Sequence, residues 1–430
     1  VGGGVVVVDH LLCGLLLWVV QCGDADCTGT AGNAETAPRV GVEQATMNAC
    51  EEKASCGTRR RAQGSEPHGR RATRTIHVGS VAVGGVAPVS IQSMTTTDTR
   101  DVPGTLAQIR ALSEAGCDIV RVAVPDAAAV ESLSALVSGS PLPVVGDVHF
   151  DALLAVGVIE SGVAGIRINP GNIGGRGAVE RVARAARARG IPIRVGINGG
   201  SLEANILERY GGPAASALVE SALRHCDLLE GLGVSAIKVS LKSSDVRTTV
   251  AANREFASRC DYPLHLGVTE AGAGQSGIVK SAVALGSLLL DGIGDTVRVS
   301  LTGPPVQEVR AALSILRALG LRSDRPEIVS CPTCGRTEID LLRLVEGVEA
   351  EISRLSSEGK RVPFERIAIM GCVVNGPGEA READVGVAGG RGKGVLFRHG
   401  EVVRSFPESE LLDVLLGAIR EAAVPGASGG

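Results

Sequence analysis

The chain has 430 residues, a formal net charge of −4 and 44% hydrophobic residues, enough for two or three domains or for one large barrel with a smaller companion. So small a net charge gives no reason to expect nucleic acid or an acidic membrane surface as a partner, and any anionic ligand must be met by local Arg and Lys. Aromatics are 2% and Gly numbers 58, so aliphatic residues must build the core and tight turns should be frequent. The eleven cysteines, at 13, 22, 27, 50, 56, 117, 226, 260, 331, 334 and 372, are odd in number and irregular in spacing, which argues against a disulfide framework.

Residues 1–72 read unlike the rest. "VVVVDHLLCGLLLWVVQC" is apolar but carries Asp9 and His10. It has no basic segment before it and no small-residue cleavage site, and it is too short to span a membrane. We expect a disordered or non-native leader here, with a targeting segment as the alternative. Its five cysteines fit no metal-ligand spacing.

From Arg74 the chain becomes regular. "TRTIHVGSVAVGG" alternates like a short hairpin, and eight strand-like runs follow: "VSIQSM", "DIVRVAV", "VVGDVHF", "GIRINP", "IPIRVGIN", "AIKVSLK", "LHLGVTE" and "TVRVSL". Ala- and Leu-rich helical segments separate them, and several end in Gly as helix C-caps do. Eight such units predict a (β/α)8 TIM barrel over residues 73–325. A doubly wound open sheet is the alternative, but no G-x-G-x-x-G follows the first strand.

In a TIM barrel the chemistry sits at the C-terminal strand ends. Here those ends carry Gln92 and Ser93, Arg121, Asp147 and His149, Arg167 and Asn169, Arg194 and Asn198, Lys238, Ser240 and Lys242, His265 and Glu270, and Arg298 and Ser300. Arg121, Arg167, Arg194, Lys242 and Arg298 come from five different strands and should converge on one mouth. Asp147 and Glu270 offset part of that charge. A ligand with several phosphates is the natural complement, because guanidinium forks match phosphate geometry. Glu270, on Gly-rich backbone, is read as a proton donor, a role compatible with the alternative of a counter-ion to an Arg. His265 alternates with apolar neighbours and reads as a satisfied core residue. His149, beside Asp147, is balanced between structure and substrate contact. Cys117, Cys226 and Cys260 read as buried apolar thiols.

After Arg325 the pattern changes to a compact α/β domain over residues 326–425. "PEIVS" reads as a strand, "CPTCG" as a turn, "EIDLLRLVEGVEAEISRLSSEG" as an amphipathic helix, "FERIAIMG" as a strand and "KGVLFRHGEVVRSF" as a hairpin before a closing helix. A lone C-x-x-C is compatible with zinc, a redox disulfide or an iron–sulfur cluster. A zinc ribbon would want a second C-x-x-C, and a redox disulfide would need no third thiol. Cys372 is that third thiol, opening the loop "CVVNGPGEA". Three thiolates on a four-iron cluster leave one iron without cysteine, open to another ligand. Glu379, seven residues on, is a candidate for that place.

"SCPTCGRTEID" together with "IMGCVVNGPGEA" closely resembles the 4-hydroxy-3-methylbut-2-enyl diphosphate synthase family of the non-mevalonate isoprenoid pathway. "SIQSMTTTDT", "GCDIVRVAVP", "RINPGNIG", "IRVGINGGSLE", "KVSLKSSD" and "GVTEAG" resemble its barrel, and the likeness covers about residues 74–425. The resemblance implies a TIM barrel followed by a 4Fe-4S domain similar to part of sulfite and nitrite reductases. It implies reductive ring opening and dehydroxylation of 2-C-methyl-D-erythritol 2,4-cyclodiphosphate, with two electrons from reduced flavodoxin or ferredoxin. The cluster ligands would fall on Cys331, Cys334, Cys372 and Glu379. The diphosphate contacts would fall on Arg121, Arg167, Arg194, Lys242 and Ser300. Asn375 would touch substrate and Glu270 would donate the proton. Asp147 and His149 are kept as substrate-site candidates. The enzyme would be a cytoplasmic homodimer in which the barrel of one subunit faces the cluster domain of the other. A pterin- or folate-type methyl-carrier barrel and a zinc-stabilised binding module are the rival readings.

Overall fold

The structure is a computed structural model, and it describes residues 69–169, 171–372, 380–390 and 392–426. Contacts divide the chain into Val1–Gln63, outside the described residues, and Gly64–Gly430. The expected leader therefore lies almost wholly outside the description. Its last residues are placed, and they are engaged: Arg70 pairs with Asp295 at 2.9 Å, and Arg71 donates to the Ala257 carbonyl at 3.1 Å.

The expected hairpin forms from β1 (Ile76–Val78) and β2 (Val81–Val83). Alternation puts Ile76, Val78 and Val83 on one face, where they pack with Ile119 and Val145. Those residues lie near the N-terminal ends of barrel strands, so the hairpin plugs the end of the barrel opposite the expected site.

The barrel strands are β3 (Ser90–Met94), β4 (Ile119–Ala123), β5 (Val144–Asp147), β6 (Gly165–Ile168), β7 (Ile193–Asn198), β8 (Ile237–Lys242), β9 (His265–Leu266) and β10 (Thr296–Val297). They run in the order β8-β7-β6-β5-β4-β3-β10-β9, all parallel, and a parallel bridge from Val239 to Leu264 closes the ring. The helices are α1 (Val102–Glu114), α2 (Ala127–Gly139), α3 (Ala152–Glu160), α4 (Arg176–Arg189), α5 (Ala204–Tyr210), α6 (Ala215–Gly231), α7 (Val246–Arg259), α8 (Gly274–Leu290) and α9 (Pro305–Ala318).

Local signals explain where the helices start and stop. Asp101, Asp126, Asp151 and Asp245 cap α1, α2, α3 and α7 by accepting from first-turn N–H groups, which satisfies donors that have no partner inside the helix. Gly190 ends α4 in the left-handed region at φ 65°, a conformation that costs glycine little.

The second domain is built from β11 (Glu327–Ser330), α10 (Leu341–Ser357), β12 (Lys360–Arg361), β13 (Arg366–Met370), β14 (Val385–Gly390), β15 (Lys393–Arg398), β16 (Glu401–Pro407), α11 (Leu411–Ala422) and β17 (Val424–Pro425). Its main sheet runs β11-β13-β14-β15-β16, parallel over the first three strands and antiparallel beyond. Leu344, Val348 and Ile352 of α10 and Leu415 and Ile419 of α11 cover one face, against Ile367, Ile369, Val385 and Val387. Among the described residues no helix is long and apolar enough to cross a membrane.

Candidate active site

Alternation along each barrel strand sends apolar side chains outward to the helices and the others inward. Val120 and Val122 flank Arg121, and Ile193 and Val195 flank Arg194, all deeply buried. A TIM barrel interior is usually filled by Val, Ile and Leu. This one holds Gln92, Arg121, Asp147, Arg167, Arg194, Lys238, Ser240, Lys242 and His265, each less than a tenth exposed.

The cations converge. Asp147 lies 3.2 Å from Arg167 and 3.6 Å from Arg121. Arg194 reaches across the barrel to donate to Gln92 Oε1 at 3.4 Å. Arg121 and Arg298 both approach the Met94 sulfur. Burial alone would disfavour ionised Asp147, but Arg121, His149 and Arg167 outweigh it and hold the carboxyl well below the usual carboxylate range. For Arg194 and Lys242 burial acts first and neighbouring cations add to it, so both are driven well below their ordinary values. Arg298 is pushed down to about 10 by burial and by Arg121.

Two glycines make room for this packing. A Cβ on Gly196 would lie 2.5 Å from Arg167 Nε, and one on Gly267 would lie 2.6 Å from Lys242 Nζ. Gly196→Ala is expected to displace the Arg167 guanidinium, raising the KM for a diphosphate substrate by about tenfold with the fold intact. Steady-state kinetics with a thermal melt checks this.

His149 lies against Arg167 and 3.6 Å from Asp147, with its ring half exposed. Ser300 is half-buried at the end of the eighth strand run. Glu270 is exposed and makes no ion pair among the described residues, so the reading of it as an Arg counter-ion finds no partner there. It sits at φ 53° and Phe150 at φ 66°. Left-handed backbone is costly for such residues, and that kind of strain collects at functional sites.

Glu308 is a further buried carboxylate, paired with Arg298. It lies 3.6 Å from Arg298 and accepts from Ser93 Oγ and the Leu301 N–H, both at 3.0 Å. Inspection of strand ends misses it because it belongs to the first turn of α9. His265 corrects its expected role. It is fully buried, but among the described residues neither ring nitrogen has a hydrogen-bond partner. Burial, then Lys242 and Arg194, drive its pKa well below the ordinary value. Gln92 Nε2, Lys238 Nζ and the Nε atoms of Arg167, Arg194 and Arg298 are likewise buried without partners among the described residues. Nearly all of these atoms are donors, so a ligand rich in acceptor oxygens complements them.

In the second domain, β11 and β13 run side by side, and Cys331 and Cys372 emerge just beyond their C-terminal ends. The Gly371 N–H donates to Cys331 Sγ at 3.1 Å. Cys334 is exposed on the intervening turn, and hydrogen bonds from Arg336 lower its thiol below the ordinary value. Among the described residues no three His, Cys, Asp or Glu side chains gather closely enough to hold a metal ion. Glu379 and Asn375 lie outside the described residues. Of the other described thiols, Cys117 and Cys226 are buried as expected, whereas Cys260 is only partly buried; burial pushes Cys117 up to about 12 and raises Cys226 and Cys260.

Residues 73–313 match the GcpE TIM-barrel domain and residues 327–421 match the GcpE protein C-terminal domain. The chain belongs to the GcpE family. Among its GcpE relatives, the 4-hydroxy-3-methylbut-2-en-1-yl diphosphate synthase (flavodoxin) of Geobacter sulfurreducens is 58% identical over 349 residues, 81% of this chain and 97% of the relative. The protein of the same name from Desulfotalea psychrophila is 54% identical over 355 residues, 82% of this chain and 96% of the relative. A type I 3-dehydroquinate dehydratase from Clostridium difficile overlays with a TM-score of 0.43 at 13% identity, covering 57% of this chain and 98% of that one, a likeness too loose to bear on activity.

Proposed function

We infer that this chain is an iron–sulfur oxidoreductase that catalyses the reaction for which its relatives are named: 2-C-methyl-D-erythritol 2,4-cyclodiphosphate is reductively opened and dehydroxylated to 4-hydroxy-3-methylbut-2-enyl diphosphate. Two electrons and a proton enter and one water leaves. The observation that carries the reading is the barrel interior, where six cations, Arg121, Arg167, Arg194, Lys238, Lys242 and Arg298, gather with Asp147 and Glu308, joined in one chain to three thiols on a second domain. A methyl-carrier barrel has no use for those thiols. A zinc module has no use for a buried cationic barrel.

Arg121, Arg167, Arg194 and Lys242, with Ser300 at the rim, hold the two phosphoryl groups. The site is buried, so each charge-assisted hydrogen bond acts in a medium that screens it weakly. Asp147 fixes Arg121 and Arg167 in place, and Glu308 does the same for Arg298. His149 closes the side of the pocket beside Arg167. Glu270, held forward on left-handed backbone, delivers the proton that lets the hydroxyl depart as water.

Residues 73–325 form the substrate domain and residues 326–425 the cluster domain. Cys331, Cys334 and Cys372 would hold a 4Fe-4S cluster with Glu379 in the fourth position, and Asn375 of the same loop would contact substrate. The donor set fits: the sequence offers three thiols and a carboxylate, and one thiol sulfur already receives a backbone N–H, as cluster-bound sulfurs commonly do. When bound, such a cluster supplies electrons singly and a Lewis-acidic iron. We place the enzyme in the cytoplasm as a homodimer, the barrel of one subunit facing the cluster domain of the other, with reduced flavodoxin or a ferredoxin as electron donor.

The test is anaerobic reconstitution with iron and sulfide, followed by assay with the cyclic diphosphate and a strong reductant. Formation of 4-hydroxy-3-methylbut-2-enyl diphosphate supports the reading. A fully loaded protein that leaves the cyclic diphosphate untouched overturns it.

A further inference from the structure

On the floor of the cation cluster the proposed function leaves one cation unused. Lys238 of β8 and Arg194 of β7 are register partners on adjacent parallel strands. Both point into the barrel and both are buried, at 3% and 6% exposure. Among the described residues Lys238 Nζ has no hydrogen-bond partner and no ion pair. The groups that face it are Arg194 from β7, Arg121 from β4, His265 from β9 and Asp295 from the turn before β10. Lys242 stands further along its own strand. Asp295 is the sole carboxylate among them, and it is already committed to Arg70, to Thr73 Oγ1 at 3.0 Å and to the Leu264 N–H at 2.8 Å.

Two adjacent buried cations without a free counter-ion cannot both keep their charge at low cost. Of the two, the lysine releases its proton, because a guanidinium holds its own far more tightly. An arriving polyanion reverses the balance. It supplies the missing counter-charge, and the amine takes up a proton as the ligand binds.

We propose that Lys238 is a further positioning residue for this reaction: it is completed as an ammonium by a proton taken up when the cyclic diphosphate enters, and it steadies the ligand from beneath Arg194. This rests on the reading of the barrel as the diphosphate site. Burial, then Arg194, push the free Lys238 down to about 7, so uptake by this group should be large at pH 8 and small at pH 6.

The experiment is calorimetric titration of the anaerobically purified full-length protein with the cyclic diphosphate, without reductant, in buffers of different ionisation heat at both pH values. The wild type should take up more protons at pH 8 than at pH 6. Lys238→Met should take up about one proton fewer at pH 8 and bind about tenfold more weakly, with KM raised more than kcat is lowered. Lys238→Arg, permanently charged, should restore binding without restoring the uptake. Equal uptake in the wild type and Lys238→Met, or no uptake by the wild type at pH 8, overturns the proposal. Absence of any binding to the wild type would instead overturn the assignment of the barrel as the diphosphate site.

Discussion

A Cys372→Ser variant is expected to lose its bound iron and to fall in activity by more than about a hundredfold, since even groups that merely hydrogen-bond to metal ligands can cost that much when removed. The reason is positional. Cys372 and Cys331 stand at the ends of neighbouring parallel strands, so neither thiol can be replaced by Cys334 from its exposed turn. A hydroxyl is a poor iron ligand at neutral pH, whereas a thiolate is a good one. Circular dichroism should be unchanged, because the sheet beneath is secured by the packing of α10 and α11. Iron and acid-labile sulfide content, with the visible absorption spectrum, checks the result. A serine variant that stayed brown and fully active would remove Cys372 from the ligand set.

Arg194→Ala should do the opposite. The cluster spectrum should stay intact while affinity for the cyclic diphosphate falls by roughly a hundredfold, about 3 kcal/mol for the charge-assisted hydrogen bonds lost. Arg194 is the cation that spans the barrel, from β7 to Gln92 on β3. Its removal leaves Lys238 and Lys242 less repelled, so the variant should be no less stable to heat than the wild type. Binding by calorimetry and a thermal melt together decide this. Loss of iron from the variant would show that Arg194 had been assigned to the wrong function.

Much of this was legible from residue order. Strand-like apolar runs separated by helical segments located all eight barrel strands, because each must present an apolar face to the helices. Assignment to the ends of separate strands brought Arg121, Arg167 and Arg194 together at one mouth, and in the structure each is buried between aliphatic neighbours on its strand. The C-x-x-C and the distant third cysteine were visible as a pattern, and the structure brings Cys331 and Cys372 to adjacent strand ends. What was not legible depends on contacts between distant elements. Glu308 joins the site from a helix, so inspection of strand ends passes over it. His265 has a buried residue's setting, but a sequence does not say whether a buried imidazole finds a partner. Lys238 stood in plain view among the polar strand residues, but it is the second residue of β8, four positions before the C-terminal end where it was expected. Its isolation becomes evident only once Asp295 is seen to be committed to Arg70, Thr73 and Leu264. The plugging role of the first hairpin also needs the tertiary fold, because alternation shows that β1 and β2 have an apolar face without showing what it covers.

The most direct test of the account is Mössbauer spectroscopy of the protein reconstituted with 57Fe under strict exclusion of oxygen and examined before and after addition of the cyclic diphosphate. About four irons per chain are predicted, with one distinguishable from the other three and altered by the ligand. Zinc in place of iron, or four irons that all ignore the ligand in protein that still turns over, would contradict it.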